Sequence, residues 1–255
     1  MAARLRLGVA GAAGIPFAAA AAVGTVVAQF WYVAHRPLPS FTDLDPDGVF
    51  GPDSAPDVRL VLLGDSTVTG PGLERRDDLW SRQVARRLVG DVRIRLLSVA
   101  AGGSRVRDVL TAQLPEAQEL RPHVAIVSVG ANDAMHGTRL RRFEADLDAL
   151  VDAFGEAGTE VVLAGVGDLG NIPRLVHPLK ALATRRSRQF DCAHARVAAR
   201  HDHVVKVPVA ELTDEQFRAR DVFCPDLFHP NCAGHTAWAE AAYPFVADAL
   251  ARATA

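Results

Sequence analysis

Four short blocks of the 255-residue chain carry residue types suited to nucleophilic chemistry. Gly64-Asp65-Ser66-Thr67 offers a hydroxyl beside free backbone N–H groups. Ala101-Gly102-Gly103-Ser104 lacks two side chains, so a substrate can approach its backbone closely. Gly130-Ala131-Asn132-Asp133 supplies a neutral amide donor. Asp226-Leu227-Phe228-His229-Pro230 sets a carboxylate three residues before an imidazole, which lets the acid hold one ring nitrogen and leaves the other to face a hydroxyl. Each block alone fits an ordinary turn: Asp65 as a helix cap, Gly-Ala-Asn-Asp as a βα turn, His229 as a packing or surface histidine. Together they supply a nucleophile, a base, an orienting acid and oxyanion donors.

The elements that must position them alternate from Val58 onward. Nearly continuous apolar runs at Val58–Leu63, Val92–Val99, Val124–Val129, Val161–Val166 and Val204–Val209 read as strands buried on both faces. Amphipathic stretches at Asp78–Leu88, Val106–Leu114, Leu140–Phe154, Leu179–Arg200 and Ala233–Ala251 read as helices. This alternation predicts an α/β fold: a doubly wound, flavodoxin-like, five-stranded parallel sheet of order 2-1-3-4-5 in three α/β/α layers. Ligands in such sheets lie beyond the carboxyl ends of the strands, and each of the four blocks follows a strand.

On these residues the chain resembles the SGNH hydrolases, also called GDSL esterases/lipases. The matching features are Ser66 in GDST, Gly103 in GGSRVRDVL, Asn132 in GAND and His229 in DLFHP, within a likeness spanning essentially residues 58–250. Thr67 stands where the family name has leucine, a position without a catalytic role. The nucleophile motif G-x-S-x-G of α/β-hydrolases is absent, because Val68 occupies its last position. The resemblance implies a serine esterase or lipase-like hydrolase with Ser66, Asp226 and His229 as catalytic residues. The N–H groups of Ser66 and Gly103 and the amide of Asn132 would form the oxyanion hole, with no metal and no organic cofactor. An O-acyltransferase using the same acyl-enzyme, or a catalytically silent surface-binding protein on the same fold, remains an alternative.

Composition narrows the partners. A formal charge of −2 with 23% charged residues argues against binding nucleic acid through counterion release. No obligate protein partner is evident, and the expected substrate is a small-molecule, lipid or glycan ester. Leu7–Ala34 holds 28 residues without a charge, preceded by Arg4 and Arg6 and closed by Phe30, Trp31 and Tyr32. Residues 1–36 therefore read as a membrane anchor through residues 7–34, with a cleaved signal as the alternative. The layout looks like that of membrane-anchored actinobacterial members, with the catalytic domain extracytoplasmic. Residues 37–57, with five prolines and five aspartates, read as a linker; 58–255 is the catalytic domain.

Several other features invite readings. Cys224, His229, Cys232 and His235 mimic a zinc knuckle, but zinc would consume the base, so a Cys224–Cys232 disulfide is the preferred expectation in an oxidising compartment. Cys192 is then expected in the core. Arg185-Arg186-Ser187-Arg188 reads as a solvated helix face. Asp168–Lys180 is too long for a plain connection and is expected to shape the substrate pocket; Trp80 is expected to pack beside the site.

Overall fold

The computed structural model describes residues 14–35 and 39–255. Its sheet has six strands: β1 (Gly48–Phe50), β2 (Asp57–Gly64), β3 (Arg93–Ser98), β4 (Val124–Ser128), β5 (Glu160–Ala164) and β6 (Val204–Val207), in the order β1-β3-β2-β4-β5-β6. Strands β2 to β6 pair in parallel, and β1 adds an antiparallel edge on β3. The count and order thus differ from the five-stranded expectation by a strand lying inside the proline-rich lead-in. Arg82 holds that lead-in down: its guanidinium donates to Pro46 O and Asp47 O and lies over the Phe50 ring.

Side-chain alternation divides the core. Val61 and Leu63 of β2, Ala125 and Val127 of β4, and Val161 and Leu163 of β5 pack with helices Leu140–Glu156 and Leu179–Ala198. Leu60, Leu62, Val124, Ile126 and Val162 face the opposite way, toward helices Trp80–Arg87 and Cys232–Ala253. Period-two projection from strands buried on both faces produces the helix–sheet–helix layering. Register then aligns the functional edge, with Gly64 of β2 opposite Ser128 of β4.

Two expectations near the ends of the chain change. The uncharged run forms a helix, Gly14–His35, but among the described residues no helix is long and apolar enough to cross a membrane. Thr25, Gln29 and His35 interrupt its apolar character, and residues 1–13 lie outside the described residues. Gln29 instead meets the Asp168–Lys180 segment, donating to His177 O at 2.6 Å and accepting from Leu179 N at 3.3 Å. The fifth predicted strand, Val204–Val209, ends at Val207, and a helix begins at Val209. Pro208 between them has no N–H to continue the ladder.

Candidate active site

The nucleophile candidate stands on a turn shaped by its neighbours. Gly64 has φ +144°, and a β-carbon there would lie 2.0 Å from Ser128 O, so glycine is required where β2 closes on β4. Asp65 caps the single helical turn Ser66–Thr69, accepting from Thr67 N at 2.9 Å, and Gly70 ends that turn in the left-handed region. Ser66 opens the turn, so its N–H has no intrahelical partner. Thr67 is held from two sides, through Ser128 Oγ at 2.6 Å and through Trp80 Nε1, which donates to Thr67 O at 2.8 Å.

Asn132 follows Gly130, whose φ of +119° turns β4 into the short helix Ala131–Met135. Its Nδ2 donates to Asp65 Oδ2 at 3.1 Å and to Ser104 O at 3.2 Å, tying three of the four blocks together. Asp133 beside it accepts from Val106 N at 2.9 Å.

The base candidate lies on the loop before helix Cys232–Ala253. Asp226 is 4% exposed; its Oδ1 accepts from the N–H groups of Phe228 and His229 at 2.9 and 3.0 Å, and its Oδ2 meets His229 Nδ1 at 2.6 Å. Burial works to raise the Asp226 pKa, but these hydrogen bonds outweigh it and hold the carboxyl below its ordinary value. His229 Nδ1 is therefore engaged, leaving Nε2 as the available nitrogen.

Ser66, Asn132 and His229 line one cavity that opens to solvent. Asp226 stands behind His229 and outside the lining. Gly103 is exposed, does not line the cavity, and joins the group through its neighbour Ser104. Among the described residues, Ser66 Oγ and His229 make no hydrogen bond to each other; such contacts commonly tighten only when substrate binds. The Asp168–Lys180 segment supplies Asp168, Leu169, Asn171 and Ile172 to the wall, and Trp80 lines it as well. The unexpected helix Val209–Arg218 supplies Val209, Ala210, Thr213, Asp214 and Phe217. Its signal was present in the sequence: Pro208 ahead of it, and Val209, Thr213 and Phe217 spaced four apart.

The cysteines depart from expectation. All three are free: Cys224 is buried with its thiol toward Pro230 O at 3.4 Å, whereas Cys232 is exposed at the start of its helix. Cys192 is exposed rather than in the core. The loop carrying Asp226 is braced by backbone instead, with Cys224 N donating to His229 O at 2.7 Å and Asn231 capping helix Cys232–Ala253. His235 accepts from Trp80 N at 3.3 Å, and burial pushes its pKa down to about 3, so it is neutral. Within the arginine cluster, Arg186 is not simply solvated, since it donates to Thr138 O at 2.9 Å and lies over the Phe190 ring.

Burial pushes Asp65 up to about 6, against the hydrogen bonds from Thr67 and Asn132 that favour its anion. A carboxyl raised in the folded state contributes stability that is fully present below its unfolded value of 3.8 and is lost as pH climbs through about 6. The gap corresponds to about 3 kcal/mol at neutral pH. Urea unfolding between pH 5 and 7.5 is expected to cost the native chain about 1–2 kcal/mol more than Asp65→Asn. Parallel pH profiles for the two would contradict this.

The profile of the GDSL-like Lipase/Acylhydrolase family matches residues 62–237. The chain belongs to that family. It is 30% identical over 239 residues to the "GDSL-like esterase Rv1075c" of Mycobacterium tuberculosis (strain ATCC 25618 / H37Rv), covering 85% of this chain and 74% of that protein. Among solved structures, TesA is similar with a TM-score of 0.62 at 21% identity, over 75% of this chain and 99% of TesA. An acetylxylan esterase from Geobacillus stearothermophilus is similar with a TM-score of 0.60 at 17% identity, over 73% and 93%. These two likenesses bear on the fold. As a GDSL-like lipase/acylhydrolase family member, the chain carries all five residues of the expected site inside the matched span, and its family supports an ester-hydrolysing enzyme.

Proposed function

We propose that this chain is a serine esterase that cleaves carboxylic esters through an acyl-enzyme on Ser66. The observation that carries the reading is the convergence of Ser66, Asn132 and His229 on one cavity, with Asp226 holding His229 from behind. Ser66 Oγ attacks the ester carbonyl while His229 Nε2 takes its proton, and His229 then returns that proton to the leaving alcohol. Asp226 holds the ring in the required tautomer and stabilises the imidazolium. Water repeats the cycle on the acyl-enzyme and releases the acid. The N–H groups of Ser66 and Gly103 meet the oxyanion, together with the Asn132 amide, which turns one of its two hydrogens from Asp65 or Ser104 toward it.

Removing one such donor typically costs about 2.7–4 kcal/mol of barrier. Asn132→Ala is accordingly expected to fold and to lose roughly 10²–10³ in kcat. Near-normal turnover in that variant would remove Asn132 from the oxyanion hole.

The cavity also supports an apolar substrate group larger than acetyl, because Val166, Ile172, Val209, Phe217 and Trp238 build its wall. Each buried methylene is worth about 0.8 kcal/mol, so kcat/KM is expected to rise up to about 15-fold from a p-nitrophenyl acetate to the butanoate. Hydrolysis of neither ester would contradict the esterase reading. A rate that falls from acetate to butanoate would contradict the apolar-group reading alone.

A further inference from the structure

The turn Ala101–Ser104 carries the Gly103 N–H; it is closed by Ser104 N donating to Ala101 O at 3.2 Å, and Ala101 N donates to Gly64 O at 3.2 Å. Gly103 has φ +80°, and nothing lies within 4 Å of where a β-carbon would be. Polar side chains from outside the turn hold it further. On its outer side, Asp43 Oδ2 accepts from Gly102 N at 3.1 Å while Asp43 Oδ1 accepts from Thr69 Oγ1 at 2.7 Å. On its inner side, Gln113 Nε2 donates to Ser104 Oγ at 3.0 Å; the same amide donates to Gly64 O at 2.9 Å and accepts from Gly64 N at 2.8 Å. Gln113 closes a π-helical turn, Val109–Gln113, and such turns re-aim side chains that a regular helix would send elsewhere.

Each of these side chains joins the glycine turn to the segment that carries Ser66: Gly64 lies two residues before it and Thr69 three residues after. We propose that Asp43 and Gln113 are positioning residues, a clamp that sets the Gly103 N–H at its working distance from the Ser66 hydroxyl. Asp43 belongs to the proline-rich lead-in, outside the family-matched span 62–237, so this chain's lead-in completes its active site. The inference rests on the roles of Ser66 and Gly103 proposed above.

The discriminating variant is Asp43→Ala in the full chain. Asp43 is exposed, so it adds little to stability, and a purely structural role would leave the rate alone. A positioning role displaces an oxyanion donor, and a displacement on the order of 1 Å can cost up to about 10²-fold. The expected result is a kcat lowered roughly 10–100-fold, with KM within about twofold and Tm unchanged. Thr69→Val cuts the same bridge from its other end and is expected to give a comparable loss. Asp43→Asn is expected to recover most of the rate, because its amide oxygen can accept from Gly102 N while its NH₂ donates to Thr69 Oγ1. Gln113→Leu, which also strands buried Gly64 groups, is expected to lower kcat and Tm together. Native kcat in both Asp43→Ala and Thr69→Val would overturn the proposal, as would a loss of rate that tracks Tm in those two variants or that Asp43→Asn fails to relieve. If the native chain hydrolyses no ester, it is the reading of Ser66 that fails, before the clamp is reached.

Discussion

Ser66→Ala is expected to lower kcat by roughly 10⁵–10⁶-fold while the protein still folds and still binds ester. Ser66 is half-buried at the first position of a turn defined by Asp65, Gly64 and Gly70, and none of those determinants uses its hydroxyl. The variant therefore removes the attacking oxygen and little else. The remaining oxyanion donors and the cavity continue to bind the polarised carbonyl, so a residual rate of about 10³–10⁴ over water is expected with direct attack by water. Steady-state hydrolysis together with a Tm measurement checks this. A stable Ser66→Ala protein that keeps a tenth of native turnover would show that the acyl group does not pass through Ser66.

Asp226→Asn is the second large effect, expected at about 10⁴-fold in kcat. The Asp226 carboxylate makes two kinds of contact, and the substitution separates them. An asparagine oxygen at Oδ1 still accepts from Phe228 N and His229 N, so the tight loop with Leu227 at φ +59° is kept. The NH₂ then faces His229 Nδ1, which must become the acceptor. The proton moves to Nε2, and the ring can no longer take one from Ser66. The loss is thus one of tautomer, with stability nearly intact. If Asp226→Asn loses only a few-fold, the 2.6 Å contact is structural and the base draws on another partner.

Much of this arrangement was legible in the sequence, for physical reasons that also explain what was not. Strands buried on both faces are runs of Val, Ile and Leu, as in VRLVLL and VAIVS, and such runs can hardly be mistaken. The site blocks stood out because each interrupts an apolar run with residues a turn does not require. The features that were missed depend on contacts between distant segments. β1 is three residues long and carries no pattern of its own; it exists because β3 leaves an edge to pair and Arg82 reaches back to it. Helix Val209–Arg218 was obscured because Val209 prolongs the apolar run of β6 past Pro208. Asp43 and Gln113 look like any surface aspartate and helical glutamine until the fold brings Gly102 and Gly64 to them. Spacing alone could not tell that Cys224 turns inward while Cys232 turns out. Likewise, absence of charge from Leu7 to Ala34 did not weigh the polar interruptions at Thr25 and Gln29.

The proposed mechanism requires one serine, just beyond the end of β2, to form the covalent intermediate. It is tested most directly by treating the native chain with a fluorophosphonate, digesting it, and mapping the phosphonylated residue by mass spectrometry. The expected result is one adduct per chain, on the peptide containing Ser66, with ester hydrolysis lost in step with labelling. An adduct on Ser104 or Ser128 instead, or continued hydrolysis by a chain carrying a full adduct at Ser66, would rule out Ser66 as the nucleophile.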